Sequence, residues 1–106
     1  MYKNERELQR ACLKHAKALG FFARKVETPN YRGFPDCLFI YEKRVFFVEF
    51  KHPDKTGRLS SLQQNDIALM ELRGAEVYVI NEYSEFSSLC RKIIDGQLFI
   101  LEGAHS

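Results

Sequence analysis

The sequence predicts a single α/β domain, on three observations. Short apolar runs rich in Val, Phe, Ile and Tyr have strand composition. Segments with a 3.6-residue apolar stripe and cap residues at their ends lie before, between and after them. The whole chain is 106 residues, room for one core, since ordinary domains run to about 100–150 residues.

In chain order, the first element is a helix. Asn4 with Glu7 three residues on resembles a capping box, and Gly20 after Leu19 is a C-terminal stop. Leu8, Cys12, His15, Ala16 and Leu19 form its inward stripe. With Leu8 at zero on a helical wheel, Glu5 falls near about 60° and Gln9 near about 100°, on the flank of that stripe. Glu7 falls near about −100°, on the outer side, where it caps the helix. Phe21 to Val26 reads as the first strand and 27–35 as a loop. Cys37-Leu38-Phe39-Ile40-Tyr41 follows as a strand, joined by a short connection at Glu42-Lys43-Arg44 to the run Val45 to Lys51. Residues 52–59 form a second loop. A helix starts at Ser60 or Ser61 and stops before Gly74, with Gln63 on one face with Ile67 and Met70. Glu76 to Ile80 is a strand, Ser84 to about Ile94 a third helix, and Gln97 to Leu101 a late strand.

Composition bounds the function classes. The chain is 45% hydrophobic and 28% charged, which is globular and not disordered. No apolar stretch approaches the roughly 18 residues of a membrane span, and the charged N-terminus is no signal peptide, so the expected location is the cytoplasm. Cys12, Cys37 and Cys90 are odd in number and widely spaced, which excludes a disulfide framework and a CxxC zinc site and leaves reduced core thiols. Net charge is +2 but uneven. Residues 1–58 carry 13 Lys and Arg against 7 Asp and Glu, and residues 59–106 carry 3 against 7. The basic half suits a polyanionic partner such as nucleic acid.

The same half holds the chemistry-bearing residues. Glu49 and Lys51 sit two apart on an apolar strand, so they project to one face while Phe50 points to the other. A carboxylate and an ammonium on a largely buried strand cost desolvation energy, which chemistry can justify. Asp36, after the Gly33-Phe34-Pro35 turn, opens the neighbouring strand. Two carboxylates thus converge where a hard cation can bind, beside a lysine. For Asp36 alone the ordinary reading is a turn cap, and for the Glu49–Lys51 pair an exposed ion pair worth little; the apolar flanks and the three residues together favour a site. Gln63 suits both an ordinary first-turn helix role and an inward one. His15 reads as a packed helix residue and His52 as facing away from Glu49. Tyr31 and Arg32 suit base stacking or backbone contact as well as plain exposure.

Taken in order, Glu5-x3-Gln9, Gly33-x-Pro35-Asp36, Glu49-x-Lys51, Gly57-Arg58-Leu59-Ser60-x2-Gln63 and Leu72-x-Gly74-x2-Val77-x-Val79-Ile80 resemble the VRR-NUC domain of the PD-(D/E)xK nuclease superfamily. Neither a PD nor an ExK alone would carry the resemblance; the ordered set over residues 5 to about 80 does. It implies a restriction-endonuclease-like α/β core, a mixed sheet flanked by helices, with residues 1–106 as one nuclease domain. It implies Asp36 and Glu49 as ligands of Mg²⁺ or Mn²⁺, with the Phe50 backbone carbonyl as a third, and Lys51 orienting water and neutralising charge. Glu5 would support the metal from the first helix, with Gln9 as the alternative position, and Gln63 would reach in from the second. Stand-alone members resemble Holliday-junction resolvases and tend to be homodimers, so the expectation is a DNA endonuclease selecting branched or otherwise structured DNA, of the compact phage or bacterial type. Arg24, Lys25, Arg32, Lys55 and Arg58 flank the site segments and are the candidate phosphate contacts. Two other readings stand beside it: a non-catalytic nucleic-acid-binding module, and a restriction-type enzyme reading base sequence, for which the chain offers no extra segment.

Overall fold

A computed structural model describes residues 2–54 and 57–104, with side chains to residue 96. Helix α1 (Glu5–Ala18) is followed by β1 (Phe22–Lys25), β2 (Cys37–Tyr41), β3 (Arg44–Phe50), α2 (Ser61–Leu72), β4 (Glu76–Ile80) and α3 (Tyr83–Ala104). The strands form one sheet in the order β1-β2-β3-β4. The first three run antiparallel and β4 lies parallel to β3, so the sheet is mixed.

Local signals account for most boundaries. Asn4 Oδ1 accepts the Glu7 N–H at the start of α1. Glu7 reaches back to the Lys3 N–H, one residue outside the expected capping box. Ser60 and Gln63 form the full box at α2: the Ser60 hydroxyl accepts the Gln63 N–H, and Gln63 Oε1 accepts the Ser60 N–H. Gly20 and Gly74 follow the C-caps at φ +92° and +94°, the left-handed geometry glycine adopts without a Cβ penalty. A two-residue turn, Glu42-Lys43, joins β2 to β3, with Glu42 itself at φ +54°.

Alternation divides the sheet. Cys37 and Phe39 of β2, and Phe46, Val48 and Phe50 of β3, face the core with Leu8, Cys12 and Ala16 of α1 and Phe86, Cys90 and Ile93 of α3. Phe39 stacks on Phe46 at 5.2 Å and meets Phe86 at 5.1 Å. Burial pushes the thiols of Cys12, Cys37 and Cys90 up to about 12, so they act as inert apolar groups. His15 packs as expected, its Nδ1 2.7 Å from the Tyr83 hydroxyl. The opposite face carries Glu49 and Phe47, and α2 lies on that side, next to β4.

One expected element is absent. Residues 97–101 continue α3 as helix instead of forming a late strand. An apolar run of five residues has no period of its own, and Gly96 costs a helix only about 1 kcal/mol relative to alanine. The preceding turns are already anchored in the core through Phe86, Cys90 and Ile93. Among the described residues, no helix is long and apolar enough to cross a membrane.

Candidate metal and nucleic-acid site

The site forms at the carboxyl end of β3, where the parallel pair β3–β4 leaves the sheet. Lys51 extends that pair by one step, its N–H donating to the Ile80 carbonyl at 2.9 Å. The β2–β3 register ends at Cys37 opposite Val48, and the next residues outward are Asp36 and Glu49, near enough that Asp36 repels the Glu49 carboxylate. Asp36 Oδ2 accepts the Phe50 N–H at 2.8 Å and the Asp36 carbonyl accepts the Val26 N–H at 2.7 Å. These bonds hold the first carboxylate between β1 and β3.

Glu49 is the buried charged residue of the described chain, 3% exposed. Its Oε2 accepts from Gln63 Nε2 at 2.8 Å and lies 3.3 Å from Lys51 Nζ. Its Oε1 is buried and has no hydrogen-bond partner. A folded protein rarely leaves such an atom unsatisfied, so this oxygen fits a ligand to a bound cation. Burial, then repulsion from Asp36, push the Glu49 carboxyl up to about 7, with Lys51 pulling it back. Asp36 is also raised, chiefly by burial; the Phe50 N–H opposes this and Glu5 adds to it. Two carboxylates that burial disfavours as anions, one with an orphaned oxygen, suit a hard divalent cation bound through oxygen. Among the described residues, however, no three His, Cys, Asp or Glu side chains converge as a cluster. The acidic side chains brought together at this point are Asp36 and Glu49, with Glu5 near enough to repel both.

Gln63 fulfils both of its sequence readings at once. Its Oε1 accepts from the Ser60 N–H and from Lys51 Nζ, each at 3.0 Å, while Nε2 holds Glu49. One amide thus caps α2 and fixes the relative placement of the carboxylate and the ammonium. Glu5 stands exposed at the start of α1, close enough to repel both carboxylates. Gln9 is half-buried and makes no side-chain hydrogen bond among the described residues.

The candidate cations divide. Lys25 sits at the site end of β1 and lowers Asp36 by its charge. Arg24 turns away: its Nη1 donates to the Ala23 carbonyl and its guanidinium lies 4.3 Å over the Phe22 ring, toward the far end of the strand. Arg32 and Arg58 are exposed on the loops before β2 and α2. Lys55 lies outside the described residues. His52 is engaged locally with Asp54: its Nδ1 accepts the Asp54 N–H at 3.2 Å and lies 2.8 Å from Asp54 Oδ1. Beside the carboxylates opens a polar cleft of about 340 Å³, lined by residues of the β1–β2 loop together with Asp36 and Gln63. A larger cavity of about 410 Å³ between β4 and α3 contains none of these groups and has no part in the site. Sequence reasoning missed Asp66, whose carboxylate accepts the Tyr31 hydroxyl at 2.6 Å; no local signal links positions 35 residues apart.

A mixed four-stranded sheet flanked by helices, with paired carboxylates and a lysine at the end of its central hairpin, defines a restriction-endonuclease-like core. The comparisons agree with this fold. The chain is similar to a solved structure described as "VRR_NUC domain", with a TM-score of 0.74 and 25% sequence identity, over 85% of this chain and 97% of that one. No protein-family model matches the sequence, and no curated protein matches it.

Proposed function

We propose that this chain is a divalent-metal-dependent nuclease that hydrolyses DNA phosphodiester bonds, selecting branched or otherwise structured DNA, and that it works as a homodimer. One observation carries the reading: a buried carboxylate, Glu49, with an unsatisfied oxygen and a raised pKa, close enough to a second carboxylate, Asp36, to be repelled by it. The likeness over nearly the whole length of a domain described as VRR_NUC supports a nuclease-like function in general.

Asp36 and Glu49, with the Phe50 carbonyl, would hold Mg²⁺ or Mn²⁺. When bound, the ion would polarise the scissile phosphate and ease deprotonation of the attacking water. Lys51 orients that water and neutralises charge growing on the phosphate, with its ammonium held by Gln63. Glu5 supports the site from α1. Lys25, Arg32 and Arg58 attract and position the phosphate backbone without reading sequence. Two sites related by a two-fold axis suit symmetric incision of a four-way junction.

The test is a cleavage panel with purified protein in Mg²⁺, Mn²⁺ or EDTA, comparing four-way junctions, flaps, duplex, single strands and RNA. Cleavage should require the metal and favour the branched DNA. Asp36→Ala and Lys51→Ala should each abolish it while the circular dichroism spectrum stays native. Undiminished cutting by Lys51→Ala would refute the mechanism, and a monomeric mass by light scattering would refute paired incision.

A further inference from the structure

The contact between the β1–β2 loop and α2 has no part in the chemistry assigned above. Tyr31, in the loop, donates its hydroxyl to Asp66 Oδ1 on α2 at 2.6 Å. Tyr31 is exposed and Asp66 half-buried, and the loop is shaped to present the hydroxyl to the carboxylate. The Tyr31 N–H donates to the Thr28 carbonyl at 3.1 Å, and the Thr28 hydroxyl donates to the Tyr31 carbonyl at 3.0 Å. Asn30 closes this turn at φ +64°, a conformation asparagine tolerates better than most residues. Gly33 is pressed against the same contact. A Cβ there would come within 2.8 Å of the Tyr31 hydroxyl oxygen and 2.9 Å of Asp66 Oδ2. The loop that carries Arg32 and leads into Asp36 is thereby tied to the helix that carries Gln63.

Between these two tied walls lies the 340 Å³ cleft, whose lining includes Lys25, Thr28, Tyr31, Arg32, Asp36 and Gln63. Its size is near the lower end of the roughly 300–1,000 Å³ of small-ligand sites, enough for one nucleotide and too small for a base pair. The lining is polar and charged, with the cations Lys25 and Arg32 beside the carboxylates Glu27 and Asp36, which suits a sugar-phosphate held by the two cations better than an apolar ligand. Arg32 engages no carboxylate among the described residues, so its charge is uncommitted. The Tyr31 ring is held at its hydroxyl end and remains 43% exposed, which leaves a ring face for a base. Stacking of this kind tolerates any base, because every base has a π-face.

We propose that the cleft seats a single unstacked nucleotide of the substrate strand, its phosphate toward Lys25 and Arg32 and its base against Tyr31, and that Asp66 is the positioning residue that holds Tyr31 in place. The inference rests on the nuclease reading and narrows it. DNA would be engaged where a nucleotide is free to leave the helix, at a flap, an end or a branch point, because drawing one from continuous duplex costs unstacking and unpairing energy.

The experiment uses the full chain with Ca²⁺, which should occupy the site without supporting cleavage. Flap oligonucleotides carry 2-aminopurine at one position at a time around the cleavage point. A fluorescence change on binding is expected at one position of the flap and at none in continuous duplex. Tyr31→Phe keeps the ring but loses the tether, and Asp66→Ala loses it from the other side. Each should weaken flap binding about fivefold, near the lower end of what stacking one base contributes. The double variant should be no worse than either single one, since both remove the same contact. In Mn²⁺ the same variants should raise KM by that factor and leave kcat unchanged, and Asp66→Asn, which still offers an acceptor, should restore binding. Wild-type Kd and KM in both Tyr31→Phe and Asp66→Ala would overturn the proposal, as would equal fluorescence changes at every position. Metal-dependent cleavage with unaltered latch variants would sink this inference alone. Binding without cleavage would sink the nuclease reading, and the fluorescence pattern would still decide the cleft.

Discussion

Replacing Glu49 by glutamine removes the charged group that, among the described residues, the fold buries. In the folded protein its carboxyl is pushed from the ordinary 4.5 up to about 7. The folded state therefore binds this proton more tightly than the unfolded chain does. The stability this contributes is fully present below about pH 4.5 and is lost as pH rises through about 7. A shift of this size corresponds to roughly 3 kcal/mol, at about 1.4 kcal/mol per unit. The attraction of Lys51, 3.3 Å away, is already contained in that shift, so the balance in favour of Glu49→Gln in metal-free protein at pH 8 is up to roughly 3 kcal/mol. For a domain of about 100 residues that raises Tm by about 4–8 °C per kcal/mol. Thermal melts in EDTA at pH 4.5 and pH 8 test it. The wild-type protein should lose stability across this interval and the variant should lose much less. Adding Mn²⁺ at pH 8 should then raise the wild-type Tm and leave the Glu49→Gln Tm nearly unmoved, because ligand binding stabilises only the state that binds. A variant less stable than wild type at pH 8 without metal, or an identical pH slope in the two proteins, would refute the claim that Glu49 is held as a strained anion.

Two further outcomes follow from single side chains. Gln63→Ala removes the acceptor of the Ser60 N–H, one half of the α2 capping box, and the bridge between Lys51 and Glu49 together, so it should cost about 1 kcal/mol in urea denaturation and also lower kcat. Gln63→Glu keeps an acceptor for the Ser60 N–H but sets a carboxylate oxygen against Glu49 where Nε2 donated, so it should lower both stability and activity. Neutralising Arg32 or Arg58 should weaken DNA binding in Ca²⁺ equally for all sequences and reduce the slope of log affinity against log salt by about one unit each, whereas Arg24→Gln should leave the slope unchanged because its guanidinium is held over Phe22. A change of base preference in the Arg32 or Arg58 variant would show sequence reading instead.

Much of the architecture was legible because its signals are local. The caps of α1 and α2 and the limits of β2 and β4 each depend on residues within one or two turns of one another, while the connection expected at Glu42-Lys43-Arg44 proves one residue shorter, with Arg44 already paired to Tyr41 in β3. The end of α3 was not legible, since the short apolar run 97–101 satisfies strand composition and helical continuation alike. Arg24 is similar: proximity to the site segments suggested a phosphate contact, but its rotamer is decided by the neighbouring Phe22 ring and the Ala23 carbonyl. Gln63 had two competing readings in the sequence that the structure makes simultaneous, because the first turn of α2 lies directly above Glu49 and Lys51.

By itself the sequence determined which groups exist and how they are spaced: an Asp after a Gly-x-Pro turn, a Glu and a Lys two apart on an apolar strand, and basic loops on either side. Tertiary structure alone decided what those groups experience. The pairing of β2 with β3 brings Asp36 near enough to repel Glu49, and packing from α2 removes water from one carboxylate while leaving its second oxygen without a partner. A glycine pressed against the Tyr31–Asp66 contact ties a loop to a helix far away in the chain. Periodicity and capping are written in neighbouring residues, whereas desolvation and the field at a buried charge sum over every element packed around it, and that sum exists only once the chain has folded.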